Sequence, residues 1–209
     1  MKRNLQRFGL LPFTDPTSPS LVSLVVGAPV SGSWWGHPAG SAIYQVGETL
    51  ESDPDIVVLR LWRGKQTLVH RRLFPALERV ARARAPWQMA GLSKGRRRLL
   101  VLIDRAGLIQ SDPFSSGVGP GWVGTSADLR DLGRRLLVLT RSVHTSSGAH
   151  ALQGESWAAW RKRVRSPGYR GSVPSARIQL EQAARWLTPG VEPGPFFPWG
   201  RTGQRAAST

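Results

Sequence analysis

The 209-residue chain is predicted to have an α+β fold, mostly helical, with two tandem winged-helix-like units that each contain a short β-hairpin. Three observations support this prediction. Segments with helical apolar spacing alternate with short β-branched runs. The order of elements in residues 18–84, where helices precede a strand, a turn, a strand and a helix, is found again in residues 93–165. The hydrophobic fraction of 40% is sufficient for a buried core in a chain of this length.

The first predicted unit, residues 18–84, begins at Ser18-Pro19, where an N-capping serine precedes a proline at the first helical position. A second helix is predicted from apolar residues that share one helical face, namely Ile43, Val46 and Leu50. The β-branched run 56–62 and the segment 66–72 then predict a hairpin, because the short turn Arg63-Gly64-Lys65 separates them. The tip of this hairpin corresponds to the wing of a winged helix, and a third helix is predicted near Pro75.

The second predicted unit, residues 93–165, begins with a helix that Ser93 caps and Gly107 ends. Thr125 precedes another helix, which has Asp128 in its first turn. The two units share their order of elements but little residue identity, so the similarity is one of architecture and not of a sequence repeat. The other predicted elements are strands at 108–110, 137–143 and 149–154 and a helix at 155–164.

Four segments are predicted to lie outside this regular structure or beside it. Residues 1–17 are predicted to be an extended arm, because two prolines interrupt any helix there. Residues 113–124 contain four glycines and two prolines, which predicts a flexible loop. Ser175 is expected to cap a C-terminal helix, residues 175–188. Residues 189–209 form an irregular tail by composition, and its aromatic side chains are free to dock on the body of the protein.

The most unusual property of the sequence is its charge. Lys and Arg number 29 and Asp and Glu number 13, which gives a formal net charge of +16 and a pI of about 11.8. A polyanionic partner would relieve this self-repulsion, and nucleic acid is the first expected partner, with an anionic membrane surface the second. Arginine carries nearly all of the positive charge. A GC-rich genome would produce the same bias. In either case guanidinium groups bind phosphate in a bidentate manner.

Several classes of protein are disfavoured by what the sequence lacks. It has no cysteine, which excludes disulfides, thiolate zinc sites and thiol nucleophiles and fits a cytoplasmic protein, nucleoid-associated if it binds DNA. No signal peptide and no transmembrane segment are expected, and so no membrane partner. No phosphate-binding loop, dinucleotide fingerprint or nucleophile elbow is present, and acidic residues are too scarce for a nuclease-type metal cluster. No cofactor is expected.

The candidate nucleic-acid contacts are basic residues on the predicted hairpin and helices. A basic wing suits contact with phosphates or a minor groove, although an ordinary solvated hairpin has the same composition. The helix at 41–51 occupies the recognition position, but Glu48 and Glu51 favour a packing role for it over base reading. The candidates are Arg60, Arg63, Lys65, Arg71 and Arg72, then Arg96, Arg97 and Arg98, then Arg130, Arg134 and Arg135, and finally Arg161, Lys162 and Arg163.

Two further groups of residues are candidates for other roles. Trp34 and Trp35 are adjacent, so both cannot point into one core, and one is expected either to be a platform for base stacking or to lock the turn by aromatic packing. His37 is a candidate base or orienting group, with a structural role as the alternative. His144 and His150 flank a predicted turn, but two histidines alone, even with Asp112 or Glu155 as a third ligand, do not predict a metal site.

The sequence resembles two kinds of known protein. The sequence SGSWWGHP at residues 31–38, the run VHRRL at 69–73 and the run VHTSSGAH at 143–150 resemble a family of uncharacterised bacterial proteins, which implies no activity. An arginine-rich pair of winged helices is also distantly similar to the helix-turn-helix DNA glycosylases that act on alkylated or crosslinked DNA. Those enzymes have a Gln-x-Gln or Gln-x-Asp signature, and this resemblance implies Gln110 and Asp112 as catalytic candidates.

The sequence therefore predicts a nucleic-acid-binding protein, with double-stranded DNA favoured over RNA and with a role in repair or in the nucleoid. A non-enzymatic protein is the favoured form of this prediction. The first alternative is a base-excision enzyme on the same scaffold. The second is an RNA-binding protein that uses exposed aromatic residues.

Overall fold

The computed structural model of the protein describes residues 1–111, 125–144 and 150–200, with the side chain of His144 outside the description. Within these residues the fold is α+β and mostly helical, with two small antiparallel sheets of three strands each. This confirms the predicted class, α+β and mostly helical. No helix in the described ranges has both the length and the apolar character needed to cross a bilayer.

The elements up to residue 81 include four helices and one sheet. The helices are α1 (Lys2–Phe8), α2 (Leu21–Val26), α3 (Gly40–Glu51) and α4 (Phe74–Ala81), and the strands are β1 (Leu10–Pro12), β2 (Ile56–Arg60) and β3 (Gln66–His70). Short 3-10 turns at Trp34–Gly36, Trp62–Gly64 and Arg71–Leu73 connect them.

The described elements after residue 81 form a second set with its own sheet. They are α5 (Pro86–Met89), α6 (Lys94–Ala106), β4 (Leu108–Gln110), α7 (Ser126–Arg134), β5 (Leu139–His144), β6 (His150–Glu155), α8 (Trp157–Val164) and α9 (Val173–Ala184). The segment 113–124, predicted as a flexible loop, lies outside the described residues. Two 3-10 turns, Arg185–Leu187 and Gly194–Phe196, follow α9.

The chain divides into two compact units. The first unit is Met1–Arg79 together with Gly168–Thr209, and the second is Val80–Pro167. The sequence placed residues 1–17 and the C-terminal segments outside both units, whereas the structure includes them in the first.

Residues 1–17 are not an extended arm. Helix α1 ends at Gly9, which adopts a left-handed φ of 88° and donates its N–H to the Leu5 carbonyl. Strand β1 then pairs antiparallel with β3, with Leu10 opposite Val69. The two prolines of this segment follow α1, so they end regular structure after residue 12 but do not prevent it earlier. Leu5 and Leu10 are fully buried, which is why this segment belongs to the core.

The C-terminal segment is also built into the first unit. Helix α9 begins two residues before the predicted helix, because Ser172 caps it and accepts a hydrogen bond from the Ser175 N–H. Beyond it, the Phe197 ring is fully buried and meets the Trp62 ring edge-on at 5.5 Å. The described part of the tail thus has no α-helix or strand, and its aromatic rings dock on the first unit, as its composition allows.

The predicted cap of the first helix of residues 18–84 is wrong, because Ser20 and not Ser18 caps α2 and accepts the Ser23 N–H.

The second unit confirms two of the predicted helix starts. Ser93 accepts the Arg96 N–H at the start of α6, and Thr125 forms a capping box with Asp128 at the start of α7. The core between α6, α7 and the sheet is built from Leu99, Leu100, Ile103, Leu129 and Leu132, with further aliphatic residues around them.

The two sheets have the same strand order. In each, the first and second strands of the sequence lie on either side of the third, giving β1-β3-β2 and β4-β6-β5. In each, a helix immediately precedes the first strand, and another helix precedes the hairpin of the second and third strands. The hairpin predicted at 137–154 is present as β5 and β6, with Ser142 opposite Leu152.

Candidate nucleic-acid interface

Positive charge is concentrated in the second unit. Between Val80 and Pro167 the chain has 15 Lys and Arg and 5 Asp and Glu, a formal charge of 15 − 5 = +10 in 88 residues. The first unit has 14 basic and 8 acidic residues, or 14 − 8 = +6, in the other 121 residues. The field of the second unit is therefore the stronger attractor for a polyanion.

Helix α7 separates its charges onto two sides. Its buried stripe contains Leu129 and Leu132, which pack into the core. Asp128 and Asp131 lie on one side of that stripe, next to partners from other elements. Arg130 and Arg134, one helical turn apart, are exposed on the other side. The helix therefore presents a basic face that is distinct from its acidic side.

The acidic side of α7 is neutralised by two arginines. Arg96 on α6 donates Nε–H to Asp128 at 2.9 Å and has Nη1 3.2 Å from Asp131. Arg135 donates to Asp131 at 3.1 Å and also to the carbonyls of Gln88 and Ala90. Partial burial acts to raise the pKa of the Asp128 carboxyl, but hydrogen bonds from Thr125 and Arg96 outweigh this effect, so the pKa is lowered. Arg96 and Arg135 thus fasten α7 to its neighbours and are poor candidates for phosphate contact.

Arg130 and Arg134 differ from these two arginines. Within the described part of the chain, neither has an acidic partner or a hydrogen bond to its side chain. Like charges four residues apart on a helix destabilise it by about 0.2–0.5 kcal/mol when nothing neutralises them. Phosphate oxygens would remove that cost and would be bound by the guanidinium groups directly.

Two other predicted basic residues of the second unit also have structural partners. Arg97 donates to the carbonyls of Leu92 and Met89, which closes the turn before α6. Arg163 forms a bidentate pair with Glu155 at 2.9 and 2.7 Å. The remaining predicted contacts of this unit are exposed on α6 and α8, namely Arg98, Arg161 and Lys162. A cation that the sequence did not single out, Arg141, is exposed on β5 and reaches Gln153 at 3.4 Å.

The wing tip of the first unit is tied to the body of that unit. Arg63 donates to Thr17 Oγ1 at 2.5 Å and lies 3.4 Å from Asp15, whose side chain is fully buried. The Lys65 ammonium is 3.7 Å from the same carboxylate, and the Arg63 guanidinium lies over the Phe196 ring at 4.4 Å. Arg63 and Lys65 therefore serve as counter-ions of a buried acid, which removes them from the best candidates for phosphate contact.

The arms of this hairpin also differ from the prediction. Trp62 belongs to the run 56–62 that was predicted as a strand, but β2 ends at Arg60 and the chain then turns inward, so Trp62 is fully buried. Arg60 donates to the Gly64 carbonyl, Arg71 pairs with Asp55 at 2.8 Å, and Arg72 donates to the Phe8 carbonyl at 2.8 Å. All three remain exposed, so each retains part of its donor capacity.

The adjacent tryptophans take different environments, as their spacing predicts. Trp34 is half-buried against the core, whereas Trp35 is 70% exposed and stacks on Trp34 with centroids 4.2 Å apart. His37 accepts the Ala39 N–H on Nδ1 at 3.0 Å, which gives it a structural role at the start of α3. Helix α3 exposes Glu48 and directs Ile43 and Leu50 into the core, so one face of it packs and the other is acidic.

The remaining catalytic and metal candidates have limited support. Gln110 lies on β4 and accepts a hydrogen bond from Gln153 of β6 at 2.9 Å, which occupies its carbonyl oxygen. Asp112 and the His144 side chain lie outside the described residues, and His150 is exposed. Among the side chains that the structure describes, no cluster of three or more His, Asp or Glu is arranged to hold a metal ion.

Two residues of structural importance were missed by sequence reasoning. Asp15 accepts hydrogen bonds from the backbone of Thr17 and Ser18, and the string Asp15-Pro16-Thr17-Ser18 is a recognisable turn signal for such an acid. Asp131 pairs with Arg96 from another helix, and no local signal predicts that contact. The role of Asp15 could have been predicted from the sequence, whereas the contact of Asp131 with Arg96 could not.

His70 gives the first unit a pH dependence. Burial lowers the pKa of its imidazole, an effect that nearby Asp55 opposes, so folding favours the neutral ring. Its stabilising contribution should be complete above the unfolded pKa of about 6.5 and should be lost as the pH falls below that value through the lowered folded pKa. In the wild type the Arg72 N–H donates to His70 Nδ1 at 3.4 Å. The variant His70→Asn keeps an acceptor for this N–H, but its side chain does not titrate.

Urea unfolding at about pH 8 and about pH 5 tests this prediction. From about pH 8 to about pH 5, the free energy of unfolding should decrease more for the wild type than for His70→Asn. An equal loss in both proteins would contradict the prediction, because acids common to the two would then account for the whole effect.

Comparisons of the chain with known protein families, with curated proteins and with solved structures find no match. The resemblances drawn from the sequence therefore remain predictions. The function has to be inferred from the residues and their arrangement, and the basic face of α7 is the arrangement that points most directly to a ligand.

Proposed function

We propose that this protein binds double-stranded DNA, with helix α7 of the second unit as its principal contact. The observation behind this proposal is the division of charge on α7: its acids are neutralised by Arg96 and Arg135, while Arg130 and Arg134 are exposed without an acidic partner in the described residues. Side chains so placed bind phosphate oxygens in a bidentate manner and release the counterions that surround DNA.

We further propose that both units are winged-helix-like. The order of helices and strands and the shared sheet order, in which the last strand is central, support this proposal. In a helix-turn-helix unit the helix that enters the major groove is the second of the pair, and α7 holds that position directly before the β5–β6 hairpin. That hairpin would then be the wing of the second unit.

Binding through phosphates predicts a strong dependence on salt. We expect the dissociation constant for a duplex of about 20 base pairs to rise as the salt concentration increases from about 50 to 200 mM. A plot of the logarithm of the association constant against the logarithm of the salt concentration should have a slope of about −2 or steeper. Two arginine–phosphate contacts alone account for roughly −1.8 of that slope. Fluorescence anisotropy with a labelled duplex measures it.

Competition by RNA and by single-stranded DNA of the same length distinguishes the alternatives. Duplex DNA should be the stronger competitor. Failure to bind duplex DNA at about 50 mM salt, or equal competition by duplex RNA, would contradict the proposal.

A further inference from the structure

We propose that Trp35 and Tyr44 of the first unit form a stacking site for an unpaired nucleobase. This inference rests on the proposed DNA binding, because the second unit must bring the nucleic acid to the protein. The first unit then has a different role, which is to recognise a place where a base is not paired. The ligand is a duplex with an extrahelical or unopposed base.

The Trp35 ring is held in a fixed position at the surface. It belongs to the 3-10 turn Trp34–Gly36, and its backbone N–H donates to Ser33 Oγ at 3.4 Å. One face of the ring stacks on Trp34 at 4.2 Å with an interplanar angle of 22°. Trp34 in turn contacts the core, with the Phe13 ring 5.7 Å away. A rigid aromatic surface of this kind loses little conformational entropy when a ligand stacks on it.

The exposure of this surface has no structural explanation. Trp35 is 70% exposed, more than any other large hydrophobic side chain in the described residues, and Tyr44 beside it is 49% exposed. Tyr44 lies on α3 one turn from its start, so the two neighbouring rings come from different segments of the chain. Two aromatic side chains left in water next to each other indicate a site whose ligand is planar and apolar.

The two rings form one aromatic surface. Their centroids are 6.3 Å apart and their planes differ by 43°. Tyr44 therefore borders the exposed Trp35 ring at an angle, and it adds aromatic area beside a base that stacks on that ring.

The charges around the site favour the face of a base over a phosphate. The exposed ionisable residues of α3 include Glu48 and Glu51, and both would repel a phosphate at that helix. A base in intact duplex is covered on both faces by its neighbours, so only an unpaired base can offer a face to Trp35. The net charge of +16 supplies the attraction for the polyanion as a whole.

Three labelled duplexes test the inference. They are a fully paired one, the same duplex with one unpaired thymine, and the same duplex with an abasic residue in place of that thymine. Wild type should bind the unpaired thymine about five- to a hundredfold more tightly than the other two. Trp35→Ala should bind all three equally, and Trp35→Phe should keep part of the preference. Thermal unfolding of each variant shows whether it is folded.

The matched control is Arg130→Ala with Arg134→Ala. It should weaken binding to all three duplexes by the same factor and leave the preference for the unpaired base intact. Binding without preference in wild type, or an equal preference in Trp35→Ala, would overturn the inference and leave Trp35 as a surface for a protein partner. Absence of binding to every duplex would overturn the proposed function itself.

Discussion

Replacing Arg130 and Arg134 together by alanine is expected to weaken binding to duplex DNA about fiftyfold at about 0.1 M salt. Each phosphate contact contributes about 0.9 to the slope of log affinity against log salt, and at 0.1 M this amounts to nearly tenfold for each contact. Both residues are exposed on α7 and have no partner among the described side chains, so their loss should leave the fold intact. The slope of the salt dependence should become shallower by about 1.8 units.

A charge-matched control separates this contact from general attraction. Arg170→Ala with Arg185→Ala removes the same two charges from exposed positions in the first unit. Its affinity should fall only a few-fold. A loss equal to that of the α7 variant would show that only net charge matters, and the proposed role of α7 would then be wrong.

Arg96→Ala should behave in the opposite way. Its side chain links α6 to Asp128 and Asp131, so its removal deprives two partly buried acids of a counter-ion. We expect the second unit to be less stable. In the protein that remains folded, the salt dependence of the affinity for DNA should change little. Comparison of the two variants therefore distinguishes arginines that bind DNA from those that hold the helices.

Phe197→Ala is expected to destabilise the first unit by about 3–5 kcal/mol, the usual cost of truncating a fully buried aromatic side chain. The ring is completely buried, stacks on Trp199 at 4.6 Å and meets Trp62 at 5.5 Å. Trp62 is itself fully buried, so a cavity there would leave a second aromatic ring without its neighbour. The corresponding decrease in Tm is on the order of 10 °C.

Two comparisons make this result specific. Phe197→Leu keeps most of the volume and should cost clearly less than the alanine variant. Val191→Ala, in the same segment but 55% exposed, should change stability by no more than about 0.5 kcal/mol. If Phe197→Ala were as mild as Val191→Ala, docking of the C-terminal segment would not contribute to the stability of the first unit.

Local signals explain what could be predicted from the sequence. Ser93 and Thr125 cap α6 and α7 because a serine or threonine before an amphipathic run satisfies free N–H groups within its own turn. The hairpins follow from β-branched runs around short turns, and the split of Trp34 and Trp35 between core and solvent follows from their adjacency. Each of these depends on residues a few positions apart.

The role of each arginine could not be predicted in this way. Arg130, Arg134 and Arg135 are equivalent in sequence, yet only the last reaches Asp131 and the backbone at Gln88. Likewise Arg63 and Arg60 lie on one predicted wing, but only Arg63 reaches the buried Asp15. Whether a cation is free for a ligand depends on which acid the fold brings next to it.

The sequence by itself determined the α+β class, the capped starts of α6 and α7 and the excess of positive charge, because these depend on local spacing and composition. Only the tertiary structure decided that the N-terminal helix and Phe197 belong to the first unit and that Arg130 and Arg134 have no acidic partner among the described residues. Those outcomes depend on contacts between residues far apart in the chain, such as Leu10 with Val69 and Trp62 with Phe197, which neither periodicity nor charge count specifies.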